Sequence, residues 1–155
     1  MTTPYNKPLP SVYNAEVSRP YWEAAKRHEL ALQRCKPCAR WVWFPREICP
    51  FCLSQDLEWV PTAGKGRLYS YTIVYQPASP SFNNDVPYVN CVVLLNEGVR
   101  INTMLVDHSP IGPNVPPVPD DIKIDMPVEV VFDDALGRKD SEGNSYISYF
   151  FKPIV

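Results

Sequence analysis

The sequence predicts a mainly β protein: a short N-terminal helix, a four-cysteine metal ribbon, and a small five-stranded barrel, closed or partly closed. Three observations carry this. Cys35-Lys-Pro-Cys38 and Cys49-Pro-Phe-Cys52 are two C-x-x-C pairs a short hairpin apart. After them come five runs rich in β-branched and aromatic residues within about ninety positions, with no helical periodicity among them. The 18 prolines fall between apolar runs while glycine is scarce at 6, which indicates short strands joined by rigid turns.

Met1 to Ser18 holds Pro4, Pro8 and Pro10 and has no periodicity, so residues 1–18 read as an extended arm. Ser18 caps a helix that Pro20 enters near its first turn, followed by Tyr21, Trp22, Ala24 and Ala25 and ending around His28 or Glu29. Leu30 to Arg34 leads as a strand into the first cysteine pair. The segment Ala39 to Ile48 leaves room for a two-stranded ribbon through Trp41, Val42, Trp43 and Phe44, turning near Pro45. Leu57 to Val60 returns as another ribbon strand, and Pro61 closes a module spanning residues 19–61.

The barrel region, residues 62–155, opens with the turn Gly64-Lys65-Gly66 and a strand over Arg67 to Tyr75. Tyr88 to Leu95 places Val89, Cys91, Val93 and Leu95 on one face. Asn96-Glu97-Gly98 is a turn, and Val99 to Val106 is the hairpin partner. Met126 to Phe132 sets Val128, Val130 and Phe132 against Glu129 and Asp133, and Ser145 to Phe151 is the last strand. A barrel removes the exposed edges that five separate strands would leave. Pattern admits an OB-like or an SH3-like barrel.

Cys35, Cys38, Cys49 and Cys52 can converge four thiolates on one ion, and a tetrahedral all-sulfur site prefers zinc. Three other uses of the same residues exist: paired disulfides, a redox C-x-x-C, and a rubredoxin-like iron centre. Met1 to Pro10 carries no apolar core of the secretory kind, so a reducing cytoplasm is expected and disulfides are disfavoured. A closed four-cysteine site has no vacancy for substrate, so its contribution is to folding.

With 15 basic and 17 acidic residues the formal charge is −2. That balance disfavours a non-specific nucleic-acid binder, whose affinity rests on neutralised phosphates. No apolar stretch approaches the length that crosses a bilayer, so no membrane partner is expected.

The order of motifs carries a resemblance. The aromatic helix and C-x-x-C ribbon precede Gly64-Lys-Gly-Arg-Leu-Tyr-Ser-Tyr-Thr-Ile-Val74, Val86-Pro-Tyr-Val-Asn-Cys-Val-Val-Leu-Leu95, Glu97-Gly-Val-Arg-Ile-Asn-Thr-Met-Leu-Val-Asp107 and Met126-Pro-Val-Glu-Val-Val-Phe132. From Arg19 to Pro153 the chain resembles the DUF35 family of zinc-ribbon plus OB-fold proteins associated with acyl-CoA metabolism. The resemblance implies an OB-fold barrel behind a rubredoxin-like zinc ribbon. It also implies a non-catalytic subunit bound to a thiolase-like catalytic partner, as in benzoylsuccinyl-CoA thiolase or a steroid side-chain aldolase, with the CoA ester shared between the two. One departure is Asp125, where the family usually has glycine.

No catalytic site is expected in this chain. Four cysteines belong to the metal, and Cys91 lies in an apolar strand, where a cysteine is normally packing. His28 at a helix end and His108 in a Ser-Pro turn have no neighbouring nucleophile, and Asp133, Asp134, Asp140 and Glu142 read as a solvated hairpin. Lys36, Arg40, Arg46, Lys65 and Arg67 are the candidates for the phosphates of CoA, with its adenine on Trp41, Trp43 or Phe44. Tyr21, Trp22, Trp41, Trp43 and Phe44 are the candidate partner interface, against the plainer reading of a second small core between helix, ribbon and barrel. The alternatives are a single-stranded nucleic-acid module and an iron redox protein.

Overall fold

The computed structural model describes residues 16–78, 80–111, 119–133, 143 and 147–154. The first fifteen positions of the expected arm, and Asp134, Asp140 and Glu142, lie outside the described residues. Glu16–Ser18 form a single 3-10 turn that runs into helix α1, Arg19–Lys26. Ser18 holds the cap position, but its backbone is already helical and its side chain makes no capping hydrogen bond. Pro20 fits because the first-turn amides have no helical partner.

The helix stops earlier than periodicity suggests, at Lys26. The Arg27 and His28 amides bond back to the Ala24 and Ala25 carbonyls, and the Glu29 amide reaches Ala24 at 3.0 Å. His28 takes a left-handed φ of 58°, the helix-ending geometry usually given to glycine. Its ring stacks on Phe132 of the barrel, 5.5 Å between centroids and 4° between planes.

Strand β1 (Ala31–Cys35) is the centre of a three-stranded antiparallel sheet, flanked by β2 (Trp41–Val42) and β3 (Leu57–Pro61). The segment after the first cysteine pair therefore does not form a hairpin of its own. The first knuckle folds the chain back, so Trp41 pairs with Arg34 and Val42 with Gln33.

The five remaining strands are β4 (Lys65–Val74), β5 (Tyr88–Leu95), β6 (Arg100–Leu105), β7 (Pro127–Asp133) and β8 (Ser148–Pro153). They close in the order β4-β5-β6-β8-β7. All neighbours are antiparallel except β6 and β8, which meet in parallel through Leu105 and Phe151. That order, first-second-third-fifth-fourth and back to the first, is the OB-fold closure, which selects it over the SH3-like option. Gly66 is required where β4 squeezes between β5 and β7, since a Cβ there would meet the Leu94 carbonyl oxygen. A bulge follows in β4: Leu68 pairs with Val93 but Ser70 pairs with Val92, and the extra residue, Tyr69, turns outward.

Inside the barrel Leu68, Val89, Cys91, Val93, Leu95, Ile101, Leu105, Val128 and Phe151 are buried, as strand alternation requires. Tyr21, Leu30 and Leu32 from the N-terminal module join the same core. A second, smaller core of Cys35, Val42 and Cys49, with Cys38 and Leu57 against it, surrounds the metal ligands. The junction between ribbon and barrel is tied at each step. The Thr62 amide and hydroxyl both donate to the Leu30 carbonyl, at 2.9 and 2.7 Å. The Ala63 amide donates to Glu97 Oε1, and the Val130 amide to the Gly64 carbonyl.

Candidate functional site

The two cysteine pairs are built alike. In each, the amide of the first cysteine donates to the carbonyl five residues on: Cys35 to Arg40 at 2.9 Å, Cys49 to Ser54 at 2.8 Å. In each, the residue after the second cysteine is left-handed, Ala39 at φ 58° and Leu53 at φ 62°. These turns aim all four sulfurs at one point, and the four Sγ atoms lie within 4.8 Å of one another. Cys35 and Cys52 are 3.5 Å apart, and Cys38 and Cys49 3.7 Å.

A tetrahedral ion with metal–sulfur bonds of about 2.3 Å needs sulfurs roughly 3.8 Å apart, so the donor set fits. Burial raises the Cys49 thiol, but amide hydrogen bonds from Phe51 and Cys52, with neighbouring sulfurs, outweigh it and bring it down to about 7. At Cys35 the Cys38 amide lowers the thiol, while burial and three sulfur neighbours raise it, and the balance lies near 12. A bound ion would be held by Cys35, Cys38, Cys49 and Cys52, supplying a cross-link between β1 and the approach to β3.

The five candidate cations do not share one environment. Lys36 Nζ pairs with Asp56 at 3.0 Å, which raises its pKa through that hydrogen bond and charge. Arg67 donates to the Asp125 carbonyl at 2.9 Å and lies 3.5 Å from its carboxylate. Arg40 sits with its guanidinium 4.7 Å from the Phe51 ring centroid. Arg46 is anchored through its backbone, whose amide and carbonyl both bond the buried Gln33 side chain. Lys65 opens β4 opposite Glu129.

The candidate aromatics form one seam between helix, ribbon and barrel. Tyr21 meets Trp22 at 5.0 Å, Trp43 at 5.7 Å and Tyr149 at 6.3 Å, and Phe44 stacks on Trp43 at 5.1 Å. Tyr21 is buried, whereas Phe44 is 60% exposed. Phe44 belongs with Ile48, Phe51 and Leu53, all exposed apolar side chains of the ribbon.

A cleft of about 410 Å³ lies between the ribbon and the β5–β6 hairpin, with Trp41, Trp43, Phe51, Val99 and Arg100 in its walls. Phe51 and Arg100 were not foreseen as site residues. Phe51 had a signal: the middle residues of a C-x-x-C knuckle point away from the sulfurs. Arg100 had none, because only barrel closure brings that hairpin to the ribbon.

Among the described residues, Cys91 is the one cysteine outside the metal cluster. It is buried, and desolvation pushes its thiol up to about 12. No helix of the described residues is long and apolar enough to cross a membrane.

With this geometry in place, two family models match in series: a ChsH2 rubredoxin-like zinc ribbon domain over residues 22–58, and a ChsH2 C-terminal OB-fold domain over residues 59–133. A DUF35 domain-containing scaffold protein of Methanocaldococcus jannaschii is 36% identical over 89% of this chain and 91% of its own length. The chain belongs to the DUF35 family. This DUF35 chain is also similar to a solved chain of an Ltp2-ChsH2(DUF35) aldolase. That match has 34% identity and a TM-score of 0.70, and covers 92% of this chain and 98% of the other. Benzoylsuccinyl-CoA thiolase subunit BbsA of Geobacter metallireducens is 29% identical over 79% of this chain and 73% of its own length. A probable enoyl-CoA hydratase alpha subunit of Thermomonospora curvata is 40% identical over 70% of this chain, which spans only 30% of that protein. Asp125 occupies the position where glycine is usual in this family, and it does so at φ 68°. The turn is kept, with a carboxylate in place of a hydrogen.

Proposed function

We propose that this chain is a non-catalytic, zinc-binding subunit of a thiolase-like complex that processes a CoA thioester, stabilising the catalytic subunit and helping to bind or channel the ester. The observation that carries this reading is the near end-to-end likeness to a chain of an aldolase described as Ltp2-ChsH2(DUF35). The likeness to a thiolase subunit supports it. The site chemistry agrees. Four thiolates around one ion leave no coordination position for a substrate. Cys91 is buried and held protonated, the His28 ring is stacked on Phe132, and His108 Nδ1 faces the Ser109 carbonyl at 2.8 Å. None of these presents an activated nucleophile beside a base.

In this reading residues 19–61 are the helix and ribbon and residues 62–155 the OB-fold domain, working in the cytoplasm, where the metal thiolates stay reduced. Residues 1–18 form an arm. The partner lies against Trp22 and Phe44, with Tyr21, Trp41 and Trp43 as the rigid seam behind them, because exposed aromatic anchors on a stiff base make strong interface contacts. Lys36, Arg40, Arg46, Lys65 and Arg67 supply positive charge toward the CoA phosphates. Affinity isolation of the chain from its native cell, with mass spectrometry of the retained proteins, tests the assignment. A stoichiometric thiolase-fold companion is the expected result, lost on Phe44→Asp. Recovery of the chain alone, or with nucleic acid, would refute it.

A further inference from the structure

The cleft between ribbon and barrel has a chemistry that the metal and the seam leave unused. Three arginines are laid flat on aromatic rings at or beside its walls: Arg100 on Tyr69 at 4.0 Å, Arg40 on Phe51 at 4.7 Å and Arg34 on Trp41 at 5.6 Å. Trp41, Phe51 and Arg100 themselves line the cleft, and no aspartate or glutamate does. Glu97, the nearest acidic residue along the hairpin, turns its Oε1 to the Ala63 amide instead. Gly98 keeps one side open, since a Cβ there would meet nothing within 4 Å. Phe51 is 53% exposed at the mouth, a large ring that the fold alone does not bury.

We propose that this cleft binds a phosphorylated adenosine, the nucleotide end of the CoA ester, with the purine against Trp41 and Phe51 and the phosphates on Arg100 and Arg40. The inference rests on the acyl-CoA reading above and gives that reading a place on this chain. The volume falls within the range of small-molecule sites, about 300–1,000 Å³. Aromatic walls accept any planar base, each stacked base contributing about 1–3 kcal/mol. Guanidinium groups braced on rings have less freedom left to lose when they form charge-assisted bonds to phosphate. Lys36 and Arg67, each engaged by its own carboxylate, stand outside this role.

The test uses the full metal-loaded chain, with CoA, adenosine 3′,5′-bisphosphate, ATP and pantetheine as probes, read by calorimetry and tryptophan fluorescence. CoA and the bisphosphate should bind and quench, and pantetheine should not. Phe51→Ala and Arg100→Gln, both at exposed positions, should each weaken binding about tenfold, with metal content and circular dichroism unchanged. Lys36→Ala and Arg67→Ala should stay within about twofold. CoA binding that Phe51→Ala and Arg100→Gln leave untouched would overturn the site while leaving the acyl-CoA reading standing. ATP binding more tightly than CoA would reassign the cleft to free nucleotides and overturn the proposal, as would a single-stranded oligonucleotide binding more tightly than either. No saturable binding of any adenine probe would also overturn it. Loss of the thiolase-fold companion in the isolation experiment would instead strike the functional reading without touching the cleft.

Discussion

Arg67 and Asp125 hold each other twice across the barrel. The guanidinium donates to the Asp125 carbonyl at 2.9 Å and also lies 3.5 Å from its carboxylate, while the Asp125 amide donates to the Leu68 carbonyl. The contact fixes the turn into β7 at a residue whose φ is 68°, where any side chain is strained.

Two opposing terms act on Asp125→Gly. Removing the Cβ from a left-handed position stabilises by about 1 kcal/mol, and losing an exposed ion pair costs about 0–1 kcal/mol. The variant should therefore be as stable as the parent or slightly more so in urea. Asp125→Val, with a β-branched side chain at the same φ, should lose about 1–2 kcal/mol. Equal midpoints for both variants would show that the turn is not left-handed.

The cysteine knuckles make a parallel prediction. Leu53 is left-handed and 76% exposed, so its side chain contributes little packing to offset the backbone strain. Leu53→Gly should raise the thermal midpoint, by about 0.5–1 kcal/mol in stability, and leave metal content at one ion per chain. Gly64→Ala should do the reverse. Gly64 has φ 65°, and its added Cβ would lie 2.6 Å from Val130 Cγ1, so a loss of about 2 kcal/mol or more is expected.

Metal analysis should find one zinc per chain and no visible absorption. A strong chelator should unfold the ribbon and expose Trp41 and Trp43, read as a red shift in fluorescence, because binding energy at such a site is folding energy. Cys38→Ser should lose the metal. A red, iron-loaded protein from iron-limited, zinc-rich growth would contradict the zinc assignment.

Cys91 gives a pH signature. Its thiol is held near 12 by burial, above the ordinary value of 9.0, so the folded state keeps a proton that the unfolded chain releases. The linkage therefore stabilises the fold fully below about 9 and is lost as pH rises through about 12. Denaturation midpoints should fall between neutral and strongly alkaline pH in the parent, and fall less in Cys91→Val. Identical alkaline slopes would place the thiol in water.

Much of this was legible from residue order. Strand β5 was read at its observed bounds because Val89, Cys91, Val93 and Leu95 alternate without interruption. The metal ligands were legible because two C-x-x-C spacings have few other uses. Local signals failed where the third dimension decides. Trp41 and Val42 look like half of a hairpin until the first knuckle returns them to β1. The helix stops at Lys26 because His28 gains a ring contact with Phe132, a partner more than a hundred residues away in the sequence. The OB order depends on the single parallel contact of Leu105 with Phe151, which no strand pattern encodes.

The most direct measurement is thioester turnover with the isolated metal-loaded chain, the isolated companion, and the two combined. The account predicts no turnover by this chain and full activity only in the combination. Substantial turnover by the chain alone, or undiminished activity of the companion without it, would contradict it.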